Sequence, residues 1–302
     1  MKTASRCSCW LVVNALVLGL AQAASTTPQD TVHYDRPEVA PLPGIFNTEL
    51  PELLRSESLR LTLRPHFGDF ISHDHLRITV AMRYGLTPNW ELTNEVDTYV
   101  AHGFGDERIL SGAGFSQIRL GAKYKFSNFL KPFWDTAAGV KYSFPVSRPP
   151  LDMTYGFRHI SPYVTMAHKW ARYPEVTGFV SYGVDFVGGR SIPGALDDDA
   201  LGEDAWFFTP GVVWHRGDIN YTLETSFRST TGLASSGEYR VGVRPALEWT
   251  LPDRFTFSHR NRWVVGLGVN ASYGNRGADF GVSTRIQTDF DFKRLFTGRP
   301  SK

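Results

Sequence analysis

The sequence has 302 residues, of which 21% are charged and 14% aromatic. This length suits one large β domain or two ordinary domains, and the composition excludes an intrinsically disordered chain. The formal net charge is +2, and Lys2 and Arg6 at the extreme N-terminus account for it. The remainder is neutral, so there is no electrostatic reason to expect a nucleic-acid partner.

The first 23 residues have the pattern of a secretory signal peptide. Lys2 and Arg6 precede an apolar run over 10–20, and Ala21-Gln22-Ala23 provides a small-residue cleavage site. The run is too short to cross a bilayer as a helix. A buried helix of the folded domain is the alternative interpretation. Cys7 and Cys9 both precede the run, so the exported chain would contain no disulfide or thiolate metal site.

Residues 24–57 are rich in proline and polar residues and show no hydrophobic period. We expect an extended periplasmic leader that buries little surface, and that is mobile or lines the periplasmic mouth of the domain that follows.

From Ser58 onward, apolar and polar residues alternate repeatedly, which is the period of β-strands. A barrel domain is predicted over 58–296, followed by a tail over 297–302. The predicted strands are 58–67, 75–84, 90–100, 116–126, 132–144, 159–170, 176–187, 205–215, 219–228, 238–249, 262–273 and 279–292.

Alternation alone does not separate a soluble sandwich or lipocalin-like barrel from a membrane barrel. Strands of about 10–12 residues match a tilted membrane crossing better than the usual globular strand of about 5–6. Aromatic residues with the parity of the apolar face cluster at strand ends, as in interfacial girdles. The girdle candidates are Tyr84, Trp90, Trp134, Trp170, Trp206, Trp214, Trp249 and Trp263.

Connections of alternating length and an even strand number agree with this interpretation. The sequence therefore predicts an all-β fold, a closed antiparallel transmembrane β-barrel of about twelve strands in the outer membrane of a Gram-negative bacterium. Its apolar face would meet lipid, and its charged face would line a lumen.

The charges of opposite parity are the candidate lumen residues. They are Arg60, Arg64, Arg77, Arg83, Glu91, Glu95, Asp97, Arg119, Lys123, Asp135, Lys141, Asp185, Glu224, Arg240, Arg244, Glu248, Arg285 and Asp289. A salt-bridge network that fills the barrel and a polar conduit are both compatible with them. Glycines of lumen parity, which remove side-chain bulk, favour the conduit, although they also ease the curvature of a small barrel.

Pairing across the turn at 85–89 is predicted to set Tyr84 opposite Trp90. This register places Arg83 opposite Glu91 and Arg77 opposite Asp97. The same reasoning across 127–131 sets Lys123 opposite Asp135. Several arginines have no obvious partner, and an open lumen would then prefer anions weakly. These arginines are Arg60, Arg64, Arg119, Arg240, Arg244 and Arg285.

The stretch Tyr84-Gly85-Leu86-Thr87-Pro88-Asn89-Trp90-Glu91-Leu92 is a strand that enters a Gly-Leu-Thr turn and leaves through an aromatic residue. This stretch resembles a bacterial outer-membrane barrel family named for the meta-pathway of phenol degradation. The wider resemblance is the strand-and-turn pattern over 58–296. The resemblance implies a transporter-like barrel that passes small hydrophobic or aromatic molecules, and it carries no catalytic motif onto these positions.

Two weaker signals in the sequence point to other chemistry. His168 has outward parity, and His66, His75 and His159 fall at one rim, which leaves a lipid-active hydrolase as an alternative. The acidic cluster Asp197, Asp198 and Asp199 lacks the spacing of an EF-hand, so it is a weak candidate for Ca²⁺ or Mg²⁺ and more typical of a solvated loop.

The sequence as a whole predicts an outer-membrane channel or porin-like transporter for small solutes, without catalytic residues or a cofactor. The alternatives are a plugged structural or adhesive barrel and the lipid-active hydrolase. The expected partners are outer-membrane lipids, lipopolysaccharide, the barrel-assembly machinery and a small-molecule solute.

Overall fold

The computed structural model describes residues 48–68, 75–101, 113–126, 134–146, 157–190, 203–234, 237–252, 255–256, 261–275 and 277–291. These residues form twelve β-strands. They are β1 (Ser58–Gly68), β2 (His75–Thr87), β3 (Trp90–Ala101), β4 (Ala113–Phe126), β5 (Asp135–Pro145), β6 (Phe157–Trp170), β7 (Tyr173–Arg190), β8 (Ala205–Arg216), β9 (Ile219–Ser229), β10 (Tyr239–Thr250), β11 (Arg262–Gly274) and β12 (Gly277–Asp291). The predicted signal peptide and C-terminal tail lie outside the described residues.

The strands form one closed sheet. Each strand pairs antiparallel with its neighbour along the chain, and β12 pairs with β1 to complete the barrel. The predicted all-β closed barrel is therefore confirmed. Closure satisfies the backbone hydrogen bonds of every strand without leaving an exposed edge. Across the described ranges, no helix is long and apolar enough to cross a membrane.

The outward face of the barrel is apolar. Val80, Leu120 and Leu223 lie mid-strand and are each 45% exposed. Their sequence neighbours Thr79, Arg119 and Glu224 point into the lumen, where Thr79 and Glu224 are buried. A soluble barrel would bury the apolar face and expose the polar one, so this inverted pattern identifies a transmembrane barrel.

The predicted girdle residues all lie on the outward face. At the rim that carries the short turns, Trp90 packs on Tyr124 and Trp214 on Tyr221, with ring centroids 5.0 and 5.4 Å apart. Strand pairing gives Tyr84, Trp206, Trp249 and Trp263 the same outward parity. Trp134, just before β5, and Trp170 both pack against His168 on this face.

The predicted register between β2 and β3 is wrong by two residues. Tyr84 faces Leu92, not Trp90, and Arg83 faces Thr93. A bulge between Gly85 and Thr87 shifts the pairing. The hydroxyl of Thr87 accepts a hydrogen bond from the backbone N–H of Trp90 at 3.1 Å, which stabilises the turn. Parity survives a two-residue shift, so the assignment of faces was unaffected.

The pairing predicted between β4 and β5 is also wrong. Lys123 faces Gly139, and Asp135 instead lies 3.4 Å from the ammonium of Lys125. The segment between these strands is longer than a tight hairpin turn, and a turn of this length does not fix the register.

The chain enters the barrel before β1 begins. Residues 48–57, which we call the lumen segment, run from the interior to the short-turn rim. Glu57 adopts a left-handed conformation, with φ of 62°, and turns the chain into β1. Thr48, Glu49 and Leu50 are each less than 7% exposed. The sequence predicted a leader that buries little, whereas this part of the leader packs against the interior wall.

Gly85 provides the seat for the lumen segment. A β-carbon at this position would collide with the backbone carbonyl oxygen of Arg55, and the carbonyl oxygen of Leu54 would be 2.9 Å away. The backbone N–H of Glu57 also donates to the carbonyl of Gly85 at 2.6 Å. The glycine of the Tyr84–Leu92 motif therefore permits close approach of the segment to the wall.

The orientation of the strands can be tested by placing an arginine on each face. Val80→Arg should cost about 2–4 kcal/mol of unfolding free energy, because the guanidinium would face the hydrocarbon core. Thr209→Arg is the matched control, since Thr209 borders a lumen cavity. It should cost less than half as much in denaturant unfolding from lipid vesicles. Equal costs at the two positions would contradict the inside-out arrangement.

The seat of the lumen segment can be tested at Gly85. Gly85→Ala should destabilise the folded barrel by about 1–3 kcal/mol, because the added methyl meets backbone that cannot rotate away. Gly121→Ala is the control, since its nearest atoms would be 3.5 Å away. This control should change the unfolding free energy by less than about 0.5 kcal/mol. If Gly85→Ala were equally neutral, the segment would not be seated there.

Candidate functional site

The centre of the lumen holds a carboxylate surrounded by cations. Both guanidinium nitrogens of Arg83 donate to Glu49, at 2.6 and 2.8 Å, in a two-pronged arrangement. The ammonium of Lys141 lies 2.9 Å from the same carboxylate, and that of Lys123 lies 3.5 Å away. We call Arg83, Lys123 and Lys141 the cation ring. Bidentate guanidinium–carboxylate contacts are among the strongest hydrogen bonds in proteins, and they fix geometry as well as charge.

Other wall groups hold the backbone of the lumen segment. Lys123 donates to the carbonyl oxygens of Leu50 and Glu52, at 3.0 and 3.1 Å. The hydroxyl of Thr165 donates to the carbonyl of Glu49 at 2.7 Å, and Glu91 accepts the N–H of Leu54 at 2.9 Å. A backbone without its own secondary structure needs such partners when it is buried.

Apolar contacts complete the seat. Leu50 packs with Ala167, Phe179 and Val213 of β6, β7 and β8 in the one buried hydrophobic cluster found among the described residues. Burying a leucine side chain contributes about 1.5–3 kcal/mol. The lumen segment is therefore held by both apolar and ionic contacts, and all of them are noncovalent.

A second group of ion pairs fills the wall formed by β9–β12 and β1–β4. Arg60 binds Asp289 at 2.6 Å, Arg285 binds Glu248 at 2.6 Å, and Arg64 binds Glu95 at 3.1 Å. Arg119 contacts both Glu95 and Asp97, and Arg244 lies 3.9 Å from Glu224. Five of the arginines that lacked an obvious partner in the sequence therefore have carboxylates, and the sixth, Arg240, donates to the hydroxyl of Ser272.

This pairing removes the basis for the expected anion preference, because few of those charges are left uncompensated. Arg60 faces Asp289 across the seam between β1 and β12, and the pairs made by Arg285 and Arg64 join strands two apart. Arg119 and Arg244 face Glu95 and Glu224 directly on neighbouring strands. The two hairpin registers inferred from the sequence, between β2 and β3 and between β4 and β5, include none of these pairs. Asp289 is 229 positions from Arg60 along the chain. Breaking one such buried pair typically costs about 3–5 kcal/mol, because the remaining charge is left buried and alone.

The opposite wall carries aromatic rings over lumen glycines. A β-carbon at Gly183 would collide with the ring of Phe207, and one at Gly211 with the ring of Phe179. Gly139 lies beneath Tyr163, whose hydroxyl oxygen would be 2.5 Å from an added β-carbon. The sequence predicts that glycines of lumen parity favour a conduit because they remove side-chain bulk. The structure shows instead that aromatic side chains occupy the space they leave.

A cavity of about 200 Å³ opens beside Thr48 and Glu49 of the lumen segment, along β5–β9. Thr48, Glu49 and Lys141 border one side of the cavity, and Tyr163 and Phe207 border another. We call Tyr163 and Phe207 the aromatic wall. Towards the long-loop rim, Asp185 joins Arg228 at 2.8 Å, Ser161 at 2.7 Å and His159 at 3.1 Å. The cavity thus combines apolar rings with placed polar groups, as small-molecule sites do.

The structure brings together part of the predicted lumen set. Arg83, Glu91, Lys123 and Lys141 meet around Glu49, whereas Asp185 lies across the cavity from them. Asp135 sits near the short-turn rim with Lys125. Arg77 faces the lumen beside Asp97. Apart from Arg240, which donates to Ser272, the remaining predicted charges belong to the ion pairs of the β9–β12 and β1–β4 wall.

The signals for other chemistry have structural explanations. His168 packs between Trp134 and Trp170, with ring centroids 5.4 and 5.5 Å away, as an interfacial side chain. His66 contacts the hydroxyl of Ser283 at 2.7 Å. The side chain of His75 and the cluster Asp197, Asp198 and Asp199 lie outside the described residues. Within the described ranges, no three histidine, cysteine or acidic side chains come together in a way that could hold a metal ion.

Sequence reasoning missed Glu49 and the aromatic residues Tyr163, Phe179 and Phe207. Glu49 was grouped with a solvated leader, although the run Leu50-Pro51-Glu52-Leu53-Leu54 beside it is unusually apolar for such a segment. The three aromatic residues have lumen parity, and that parity was the available signal. Each occurs on a strand that pairs with a glycine-bearing strand.

Comparison with known proteins supports the fold. No protein-family model and no curated protein sequence matches the chain. An outer membrane channel from Pseudomonas putida F1 aligns with a TM-score of 0.57 at 10% identity, covering 79% of this chain and 97% of that one. The NanC porin aligns with a TM-score of 0.50 at 13% identity, covering 76% of this chain and 98% of the porin. The resemblance to the phenol meta-pathway family stays a prediction, and the chain has the fold of an outer-membrane β-barrel.

Proposed function

We propose that this protein is an outer-membrane channel for small solutes, and that the lumen segment closes it. The observation that carries the proposal is the way the lumen is filled. The segment continues into the wall at Ser58, and its contacts among the described residues are ion pairs, hydrogen bonds and side-chain packing. A plug of this kind can leave its seat without breaking the pairing of the twelve barrel strands.

The solute path would follow β5–β9. On this side the cavity already reaches Thr48 and Glu49 of the segment, and Ser181 and Thr209 contribute small polar side chains to its lining. The opposite wall is packed with ion pairs that withdrawal of the segment would leave largely in place. We therefore place the conducting route beside the aromatic wall, with the short-turn rim facing the periplasm.

The aromatic wall supports a ring-bearing solute. This agrees with the resemblance to the phenol meta-pathway barrels, which implies small hydrophobic or aromatic molecules. The expected surroundings are outer-membrane lipids and lipopolysaccharide around the girdles, and the barrel-assembly machinery during insertion. We propose no catalytic role for the chain.

A permanently plugged structural barrel is the second candidate. The buried pairs Arg60–Asp289 and Arg285–Glu248 favour it, because they rigidify the wall around the segment. The two candidates differ in whether the contacts of Glu49 can be released. In the channel the Glu49 contacts set an opening equilibrium, whereas in a structural barrel they only add stability.

A charge-removing substitution at Glu49 tests the channel. Glu49→Gln keeps the shape of the side chain but removes the anion that three cations share, so the seated state should weaken. Breaking a buried pair is worth about 3–5 kcal/mol, and we expect the open probability in planar bilayers to rise at least about tenfold.

Glu52→Gln is the matched control. Glu52 belongs to the same segment, but its carboxylate lies 3.9 Å from Lys169, away from the cation ring. Channels of the Glu52→Gln variant should open as rarely as those of the unaltered protein. If neither the unaltered protein nor Glu49→Gln conducts, the structural barrel replaces the channel.

A further inference from the structure

We infer that the cation ring is a carboxylate-binding site that the chain's own Glu49 occupies, and that a compact ring-shaped solute with one carboxylate takes its place. This inference rests on the proposed channel and adds to it a solute class and a way of opening. Glu49 would act as an internal competitor, and binding of the solute would free the lumen segment.

The geometry of the cation ring suits a carboxylate from any source. Arg83 presents two nitrogens to the two oxygens of Glu49, at 2.6 and 2.8 Å, and Lys141 approaches one of those oxygens at 2.9 Å. The three cations belong to β2, β4 and β5, not to the segment. They would therefore stay in position when Glu49 leaves.

The cavity gives a solute access to this site. Glu49 and Lys141 both line it, so a carboxylate arriving through the cavity meets Lys141 before the segment has moved. The body of the solute would then lie along Tyr163 and Phe207. A volume of about 200 Å³ suits a single six-membered ring, since an apolar cavity of roughly 150 Å³ can hold benzene.

Charge compensation makes the exchange selective. Without Glu49, the three cations would keep the wall carboxylate Glu91, which lies 3.2 Å from Lys123 and 3.4 Å from Arg83, and the more distant Glu95, which Arg64 and Arg119 also share. A carboxylate solute restores the missing negative charge, whereas a neutral solute of the same shape leaves the cations under-compensated in a water-poor interior. The site should therefore distinguish an acid from the corresponding alcohol.

The competition can be measured by titration calorimetry on the full chain in detergent micelles. The probes are benzoate and glucuronate, which place a carboxylate on an aromatic and on a sugar ring, and benzyl alcohol as the neutral counterpart of benzoate. Glu49→Gln should bind at least one of the acids about tenfold more tightly than the unaltered protein, because the internal competitor has lost its charge. Glu52→Gln should bind like the unaltered protein, and benzyl alcohol should gain nothing from Glu49→Gln.

A second substitution assigns the gain to the cation ring. Adding Lys141→Met to Glu49→Gln should return the affinity for the acid to that of the unaltered protein or below. The inference is overturned if Glu49→Gln leaves both acids unchanged, or if it improves benzyl alcohol as much as benzoate. If Glu49→Gln does not fold, the inference is tested on the unaltered protein in planar bilayers. At least one of the acids should raise its single-channel open probability, and benzyl alcohol should not.

Calorimetry keeps this inference separate from the proposed function. If the protein conducts but binds neither acid, the proposed channel stands and the proposed carboxylate site is rejected. If the protein binds an acid but does not conduct, the proposed carboxylate site stands and the proposed channel is rejected.

Discussion

The interaction on which the interior depends is the contact of the Glu49 carboxylate with Arg83, Lys123 and Lys141. Three cations this close together, in an interior poor in water, would repel one another and lose hydration without a shared anion. The wall supplies Glu91, and the lumen segment supplies the second carboxylate. The barrel therefore completes its own charge balance with a piece of chain that is not part of its sheet.

The two sides of the lumen follow from this division. On β9–β12 and β1–β4, the arginines outside the cation ring are mostly paired with carboxylates of the wall itself. On β5–β9, aromatic rings lie over glycines, ion pairs are fewer, and space remains beside the segment. The ion-paired side of the interior is therefore rigid, and the side along β5–β9 can adapt. This arrangement suits a solute path that the lumen segment closes and can leave.

Much of the fold could be predicted from the sequence, because lipid forces every strand to alternate between two solvents. The strands and the faces of residues such as Val80 and Thr79 follow from that alternation alone. The β2–β3 register could not be obtained in the same way, since a bulge after Gly85 shifts the pairing without changing parity. The partners of Arg60 and Arg285 depend on barrel closure and long-range packing. The burial of Glu49 could not be predicted, because the lumen segment lies outside the sheet and shows no alternation of apolar and polar residues.

The central claim is that the lumen segment occupies the barrel interior, and the solvent accessibility of position 50 tests it most directly. In a chain whose Cys7 and Cys9 are replaced by serine, Leu50→Cys and Glu57→Cys can be compared by maleimide labelling in native outer membranes. Leu50 is 3% exposed, whereas Glu57 is exposed at the short-turn rim. We predict that position 50 reacts at least about tenfold more slowly than position 57. Equal labelling rates at the two positions would show that the segment lies outside the barrel and would contradict the account.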